Sequence, residues 1–89
     1  MNIEFTESGY EDFTYWIKND PDIVEKINDL LRSIKQNSFK GLGKPEPLKQ
    51  NLRGYWSRRI TDEHRLVYKV YGKKGVDQRC CIIQCRFHY

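Results

Sequence analysis

The sequence predicts an α+β domain whose elements follow the order β-αα-βββ. Three observations predict it: two adjacent segments with helical periodicity lie between residues 8 and 36, a loop rich in glycine and proline follows, and three β-prone runs with short connections come last. A chain of 89 residues has room for about one hydrophobic core. We therefore expect a single domain, residues 1–89, in which a helical hairpin packs on one face of a small, twisted and mainly antiparallel sheet.

The first strand and the first helix are separated by a change in hydrophobic period. Residues 2–6, NIEFT, alternate and are β-prone, so they predict a short strand. Ser8 precedes Glu11 by three residues, which is the spacing of a capping box. The helix that follows is predicted to end near Asn19, and its apolar residues at helical spacing are Tyr10, Phe13, Trp16 and Ile17.

The second helix has the clearest pattern in the chain. Asp20 stands at the N-cap position and Pro21 at the first helical position, so the helix is predicted to run from about residue 21 to residue 36. Its apolar stripe consists of Ile23, Val24, Ile27, Leu30, Leu31 and Ile34. The tight connection predicts an antiparallel helical pair whose joint apolar face needs a cover.

The second half of the chain predicts a loop and a meander of strands. Residues 38–47 contain two glycines and two prolines, which argues against regular structure. Residues 54–60, 65–72 and 78–89 are β-prone and are separated by short turns. These runs predict three consecutive antiparallel strands.

Charge is distributed unevenly along the chain. Residues 1–37 carry 8 acidic and 4 basic side chains, net −4, whereas residues 38–89 carry 4 acidic and 12 basic side chains, net +8. A cationic half of this size favours polyanions, of which nucleic acid is the commonest. The alternative is a solvated basic face that only aids solubility.

The three cysteines lie close together, at Cys80, Cys81 and Cys85. An odd count within one strand-like segment argues against a disulfide framework. Cys80 and Cys81 would face opposite sides of a strand, so we expect no metal site. The thiols are interpreted as small buried apolar groups, with a reactive thiol as the minor alternative. Neither a membrane span nor a signal peptide is visible, so we expect a cytoplasmic protein.

Two titratable residues stand in positions suited to acid–base chemistry. Glu46 lies between Pro45 and Pro47, whose restricted backbones present it on a rigid stem. His88 follows an apolar run that is predicted to hold it as part of a paired strand, and an imidazole serves as general acid or base at neutral pH. His64, inside a turn, is expected to be structural or solvent-facing.

Arginines bracket one predicted turn. Alternation places Arg58 and Arg59 on opposite faces of their strand, so they cannot share one role. Arg65 opens the next strand, where a guanidinium could bind phosphate and neutralise developing charge. The alternative is pairing with Asp62 and Glu63 across the turn. A carboxylate, an arginine and a histidine together suit metal-independent RNA cleavage through attack of the 2′-hydroxyl.

Three quoted runs closely resemble one family. GKPEPLK (43–49), NLRGYWSRRITDEHRLVYKV (51–70) and CRFHY (85–89) resemble the YoeB-type toxins of the RelE superfamily, the partners of YefM-type antitoxins. The resemblance implies a compact microbial-ribonuclease-like fold. It also implies an endoribonuclease that enters the ribosome and cuts messenger RNA at the A-site codon, with no metal and no cofactor.

The resemblance also assigns roles to residues. Glu46 would be the general base, Arg65 would stabilise the transition state, His88 would be the general acid, and Tyr89 would orient the substrate. By the same resemblance, Lys49, Arg58 and Arg59 would contribute to RNA binding. Lys44 and Arg53 are the further basic residues expected to bind RNA. The implied partners are a YefM-type antitoxin, the ribosome with its messenger RNA and a second copy of the chain, and no membrane.

Two other functions remain open at this point. The same scaffold could act without catalysis, as a toxin that binds a target such as gyrase. Alternatively, the +8 half could form a plain RNA-binding module in which the acid–base residues are incidental.

Overall fold

A computed structural model describes residues 1–88 of the protein, so Tyr89 lies outside the described residues. The helices and strands, in chain order, are β1 (Asn2–Phe5), α1 (Glu7–Asn19), α2 (Pro21–Gln36), β2 (Glu46–Pro47), β3 (Trp56–Arg59), β4 (Arg65–Tyr71) and β5 (Arg79–Gln84). The predicted α+β class is confirmed. One short strand, β2, is added to the predicted order, and a 3₁₀ turn covers Gln50–Leu52.

The strands that the structure describes form one mixed sheet in the order β1-β5-β4-β3-β2. The pairs β5–β4 and β4–β3 are antiparallel, as the meander predicts. The added strand β2 is antiparallel to β3, and β1 runs parallel to β5. The first and last strands are therefore neighbours, with Ile3 opposite Cys80 and Phe5 opposite Ile82.

The helices cover one face of this sheet, and the core lies between the two layers. The buried residues of this core include Trp16, Ile23, Ile27, Leu30, Ile34, Ile60, Leu66, Tyr68, Cys80 and Ile82. Gly9 permits α1 to approach β5 closely, because an added Cβ would collide with the carbonyl oxygen of Ile82. Within residues 1–88, no helix is long and apolar enough to cross a membrane.

The beginnings of both helices differ from the predicted caps. The capping box of Ser8 and Glu11 was a wrong prediction, because α1 begins at Glu7 and Thr6 is its N-cap, with Oγ1 accepting from the Gly9 amide at 3.2 Å. Thr6 also donates its own amide to the Ile82 carbonyl, so one residue ends β1 and starts α1. Asp20 precedes α2 as predicted, but its side chain makes no capping hydrogen bond to the described residues.

The last strand is shorter than the sequence predicts. The predicted run 78–89 ends as a strand at Gln84, so the prediction that a paired strand supports His88 was wrong. The reason lies at Cys85, whose backbone leaves the ladder to bond with side chains of α1. Residues 85–88 are called the C-terminal tail below.

The cysteines are distributed as alternation predicts. Cys80 and Cys85 are fully buried, whereas Cys81 is half-buried on the other face of β5. Burial raises the pKa of the Cys80 and Cys85 thiols to about 12, so at neutral pH they remain protonated, apolar groups. The interpretation as buried apolar groups is confirmed for these two.

Candidate functional site

Glu46 lies on the edge strand β2, directly opposite Ser57 of β3. The prediction that residues 38–47 lack regular structure was therefore wrong at the end of the loop. An edge strand tolerates Pro47, whose missing N–H faces away from the ladder. The Glu46 side chain is exposed, and its backbone is paired with the sheet.

Main-chain hydrogen bonds on either side of β2 secure this position. Arg59 donates its amide to the Gly43 carbonyl at 2.6 Å, and Leu48 donates to the Tyr55 carbonyl at 2.9 Å. Gly43 adopts φ +81°, and an added Cβ would lie 3.0 Å from the Arg59 carbonyl oxygen. A glycine is thus required where the loop approaches β3.

Arg58 lies under the loop that precedes β2 and bonds to its main chain. Its side chain is fully buried, and its guanidinium donates to acceptors on the loop, α2 and β4. The acceptors are Tyr68 Oη at 3.1 Å, Ser33 Oγ at 2.8 Å, and the carbonyl oxygens of Leu42 at 3.0 Å, Asn37 at 2.9 Å and Lys40 at 3.0 Å. Five bonds use every N–H that a guanidinium offers.

This burial removes Arg58 from the expected set of RNA-binding residues. A side chain with no exposed surface cannot contact phosphate in this structure. The sequence contained a usable signal, because alternation groups Arg58 with Trp56 and Ile60, which face the core. Burial of the Tyr68 hydroxyl beside it raises the Tyr68 pKa.

Arg65 lies on the sheet face opposite the helices, as do Glu46 and Arg59. Directly paired residues share a face, and the register pairs Arg59 with Arg65 and Ser57 with both Glu46 and Val67. Glu46 is thus two strands away from Arg65 and two residues along. The structure brings the predicted base and the predicted transition-state arginine to one face.

The Arg65 guanidinium is held by main-chain oxygens of the β3–β4 turn. Nη1 donates to the carbonyls of Thr61 at 2.7 Å, Asp62 at 3.1 Å and His64 at 3.1 Å. These bonds do not use the Nε–Nη2 edge. The guanidinium binds carbonyl oxygens of the turn, whereas the alternative from sequence was pairing with the carboxylates of the turn.

Side chains of α1 anchor the start of the C-terminal tail. The Cys85 amide donates to Asp12 Oδ2 at 3.0 Å, and the Trp16 indole donates to the Cys85 carbonyl at 2.8 Å. The Arg86 guanidinium stacks 3.5 Å from the centroid of the Tyr15 ring. Sequence reasoning missed Asp12 and Trp16 as anchors. Their spacing of four places both on one side of a helix, but nothing local points to the tail.

The end of the tail lies against the β3–β4 turn. Phe87 donates its amide to His64 Nδ1 at 2.7 Å and accepts from the Arg65 amide at 3.0 Å. His88 Nε2 lies 3.0 Å from the Asp62 carbonyl oxygen. A carbonyl only accepts, so His88 Nε2 is the donor in this contact.

One oxygen therefore joins two of the predicted site residues. The Asp62 carbonyl accepts from Arg65 Nη1 and from His88 Nε2, at 3.1 Å and 3.0 Å. His64 was expected to be structural or solvent-facing; it is partly buried, its ring packs on Trp16 and its Nδ1 accepts from the tail, which favours the structural interpretation. The predicted role of Tyr89 falls outside the described residues.

The remaining basic candidates are exposed. Lys44, Lys49, Arg53 and Arg59 all lie on the surface. Lys44 and Arg59 also line a cleft of about 580 Å³ between α2 and the β3–β4 turn, beside the site described above. Among residues 1–88, no group of three or more His, Cys, Asp or Glu side chains is arranged to hold a metal ion.

Comparison with known proteins places this geometry in a family. A family model described as a YoeB-like toxin of bacterial type II toxin-antitoxin systems matches residues 5–89. Toxin YoeB of Streptomyces coelicolor is 49% identical, and the alignment covers 100% of each chain.

Solved structures of similar proteins support the same family assignment. The YoeB/ParE toxin from Agrobacterium tumefaciens superposes with a TM-score of 0.94 at 55% identity, covering 100% of both chains. The YoeB dimer from Staphylococcus aureus gives 0.88 at 49% identity, covering 100% of this chain and 98% of that one. The heterotetrameric YoeB-YefM complex from the same organism gives 0.87 at 48% identity, with the same coverage. The chain therefore belongs to the YoeB-like toxins of bacterial type II toxin–antitoxin systems.

Proposed function

We propose that this toxin is a ribosome-dependent endoribonuclease that cleaves messenger RNA at the A-site codon. The observation that carries the proposal is the convergence of Arg65 and His88 on the Asp62 carbonyl, together with the position of Glu46 on the same sheet face as Arg65. A base, a cation and an acid are the groups that phosphodiester cleavage by a 2′-hydroxyl needs.

In the proposed reaction, Glu46 accepts the proton of the 2′-hydroxyl as its oxygen attacks the adjacent phosphorus. The bond from phosphorus to the 5′-oxygen of the next nucleotide breaks, and a 2′,3′-cyclic phosphate forms. His88 donates its Nε2 proton to the departing 5′-oxygen. Arg65 stabilises the charge on the phosphoryl oxygens through guanidinium N–H groups that the turn does not use.

The proposed RNA contacts come from the exposed basic residues. Lys44, Lys49, Arg53 and Arg59 are candidates for phosphate contacts, and Arg58 is not, since it is buried. Phosphate contacts release counterions, so binding should weaken as salt concentration rises. Tyr89 remains the proposed orienting residue next to His88.

The test is primer extension on messenger RNA held in a ribosome complex, alongside the same RNA without ribosomes. Glu46→Gln and His88→Gln should each slow cleavage by about 10²-fold or more. Glu25→Gln is a matched control on α2, because it removes one exposed carboxylate away from the site.

Three results would contradict the proposal. They are a cut that persists in both site variants, a cut that does not need the ribosome, and the lack of any cut from folded wild-type protein. Inhibition of DNA supercoiling with intact RNA would indicate a gyrase-type target. Salt-sensitive RNA binding without a product would indicate a plain RNA-binding module.

The proposed partners follow from the relatives. The Staphylococcus aureus structures contain a YoeB dimer and a YoeB-YefM heterotetramer. We propose a YefM-type antitoxin and a homodimer for this chain, with an acidic, partly disordered antitoxin segment covering the cationic surface. Light scattering that shows only monomer at micromolar concentration would contradict the homodimer. Ribosomes as targets imply a cytoplasmic protein.

A further inference from the structure

His64 lies where three parts of the molecule meet. Its ring packs edge-on against Trp16 of α1, with centroids 4.7 Å apart, and at 5.6 Å from the ring of Phe87 in the C-terminal tail. Its main-chain carbonyl accepts from the amides of Ile60 and Thr61 in the β3–β4 turn. Through its ring and its main-chain carbonyl, this one residue thus contacts the helix, the turn and the tail.

The contact with the tail is a directed hydrogen bond. Phe87 donates its amide proton to His64 Nδ1 at 2.7 Å. An amide only donates, so Nδ1 is an unprotonated acceptor and the neutral ring carries its proton on Nε2. The next residue, Arg65, donates its amide to the Phe87 carbonyl at 3.0 Å. Residues 64 and 65 therefore hold both polar groups of the Phe87 backbone.

Phe87 needs such a restraint because its backbone is left-handed. Its φ is +64°, a region that costs free energy for an aromatic residue and persists only when the surroundings impose it. The backbone dihedral angles of Phe87 set the direction of the next residue, His88, and of its side chain. In this conformation His88 Nε2 lies 3.0 Å from the Asp62 carbonyl, beside the Arg65 guanidinium.

We infer that His64 is a positioning residue, which keeps Phe87 left-handed through its Nδ1 and thereby directs His88 at the reacting phosphate. His64 acts through the tail and does not itself touch the substrate. The inference rests on the proposed function only for the role of His88 as general acid. The orientation of the tail by His64 stands independently of it.

The competing explanation is that the His64 ring merely fills space against Trp16. Two substitutions separate the two roles. His64→Asn places a carbonyl oxygen near the position of Nδ1, so it retains an acceptor and loses the ring. His64→Phe retains a ring beside Trp16 and removes the acceptor.

The experiment measures the order of the tail and the rate of RNA cleavage in three proteins: wild type, His64→Asn and His64→Phe. Amide hydrogen exchange at Phe87 and the ring resonances of His88 report on the tail. Single-turnover cleavage of ribosome-bound messenger RNA, over a range of toxin concentration, separates the rate constant from binding. A misplaced catalytic group costs about 10²-fold in rate, so even partial release of the tail is measurable.

We expect His64→Phe to accelerate Phe87 exchange at least about 10-fold, shift the His88 ring resonances and slow the cleavage step by about 10- to 100-fold, with binding changed less than about 3-fold. His64→Asn should stay within about 5-fold of wild type in rate and exchange. Wild-type behaviour of a folded His64→Phe would overturn the inference. Equal losses in both variants would also overturn it, because they would indicate ring packing.

Failure of the proposed function is distinguishable from failure of this inference. If the wild type cuts no RNA, the nuclease proposal fails, and Phe87 exchange with the His88 resonances still decides whether His64 orients the tail. If wild type cuts and the tail signals do not differ between wild type and His64→Phe, the nuclease proposal stands and His64 is not the positioning residue.

Discussion

The two acid–base candidates are supported in contrasting ways. Glu46 stands on an edge strand whose preceding loop is bonded to the buried Arg58 guanidinium. His88 stands beyond the last strand, on a tail bonded to Asp12, Trp16 and His64. The first support is part of the core, and the second is attached to its surface.

The contrast teaches how each half of the site depends on folding. Removing Arg58 would leave several buried acceptors without donors. A substitution at Arg58 should therefore lower the stability of the fold as well as release the loop that precedes Glu46. The tail ends at exposed residues, so its contacts can change while the core remains intact. We therefore expect the part of the site around Glu46 to be rigid and the part around His88 to be more mobile.

The largest expected effect is on Arg58. Arg58→Ala should lower the free energy of unfolding by about 3 to 5 kcal/mol, because a buried hydrogen-bond network loses the five bonds that the guanidinium donates. The control is Arg59→Ala, since Arg59 is the next residue and its side chain is exposed. This substitution should change the free energy of unfolding by less than about 0.5 kcal/mol. Urea unfolding of both variants measures this, and a loss below about 1 kcal/mol for Arg58→Ala would contradict a core role for the network.

A smaller effect is expected at the start of the tail. Asp12→Ala removes the acceptor of the Cys85 amide and should cost about 1 to 2 kcal/mol, with faster hydrogen exchange at residues 85–88 than in β4. Asp12→Asn keeps an acceptor oxygen and serves as the control. If exchange rose equally in the sheet and the tail, the two supports would not be separable.

The smallest effect per group is expected from alkaline pH. Burial raises the pKa of Cys80 and Cys85 from 9.0 to about 12, so the folded protein holds these protons more tightly than the unfolded chain. The stability from each thiol is fully present below about pH 9 and is lost as pH rises from there towards 12.

Between pH 8 and pH 10, each buried thiol should lower the free energy of unfolding by about 1 kcal/mol, as measured by urea unfolding. Cys80→Ala tests the sheet and Cys85→Ala tests the start of the tail, and each should flatten the decline. A pH profile identical to wild type in both variants would contradict the role of thiol burial. A flatter decline in Cys80→Ala alone would indicate that the tail opens locally before the core unfolds.

Local patterns predicted a large part of this fold. The apolar stripe of α2 and its Pro21 start needed only helical spacing, and the meander of β3, β4 and β5 needed only β-prone runs with short turns. The caps were less predictable. Ser8 with Glu11 matches the capping-box pattern, yet the ladder of β1 continues to Thr6, which leaves Thr6 as the N-cap.

The candidate site was predicted as a set of residues, but not as a geometry. Glu46, Arg65 and His88 came from local presentation and from a family resemblance, and the structure places Arg65 beside His88. Arg58 was expected to bind RNA from the family resemblance, whereas in β3 its side chain is buried and five acceptors compensate that burial.

The sequence by itself determined the helices, most of the strands and the division into an acidic first half and a basic second half, since each depends on neighbours within a few residues. Tertiary structure alone decided that β1 runs parallel to β5, that Arg58 is buried and that the C-terminal tail leaves the ladder at Cys85. The bonds that turn the tail join residues 69 and 73 positions apart. No local spacing encodes such partners, because they meet only after α1 has packed on β5.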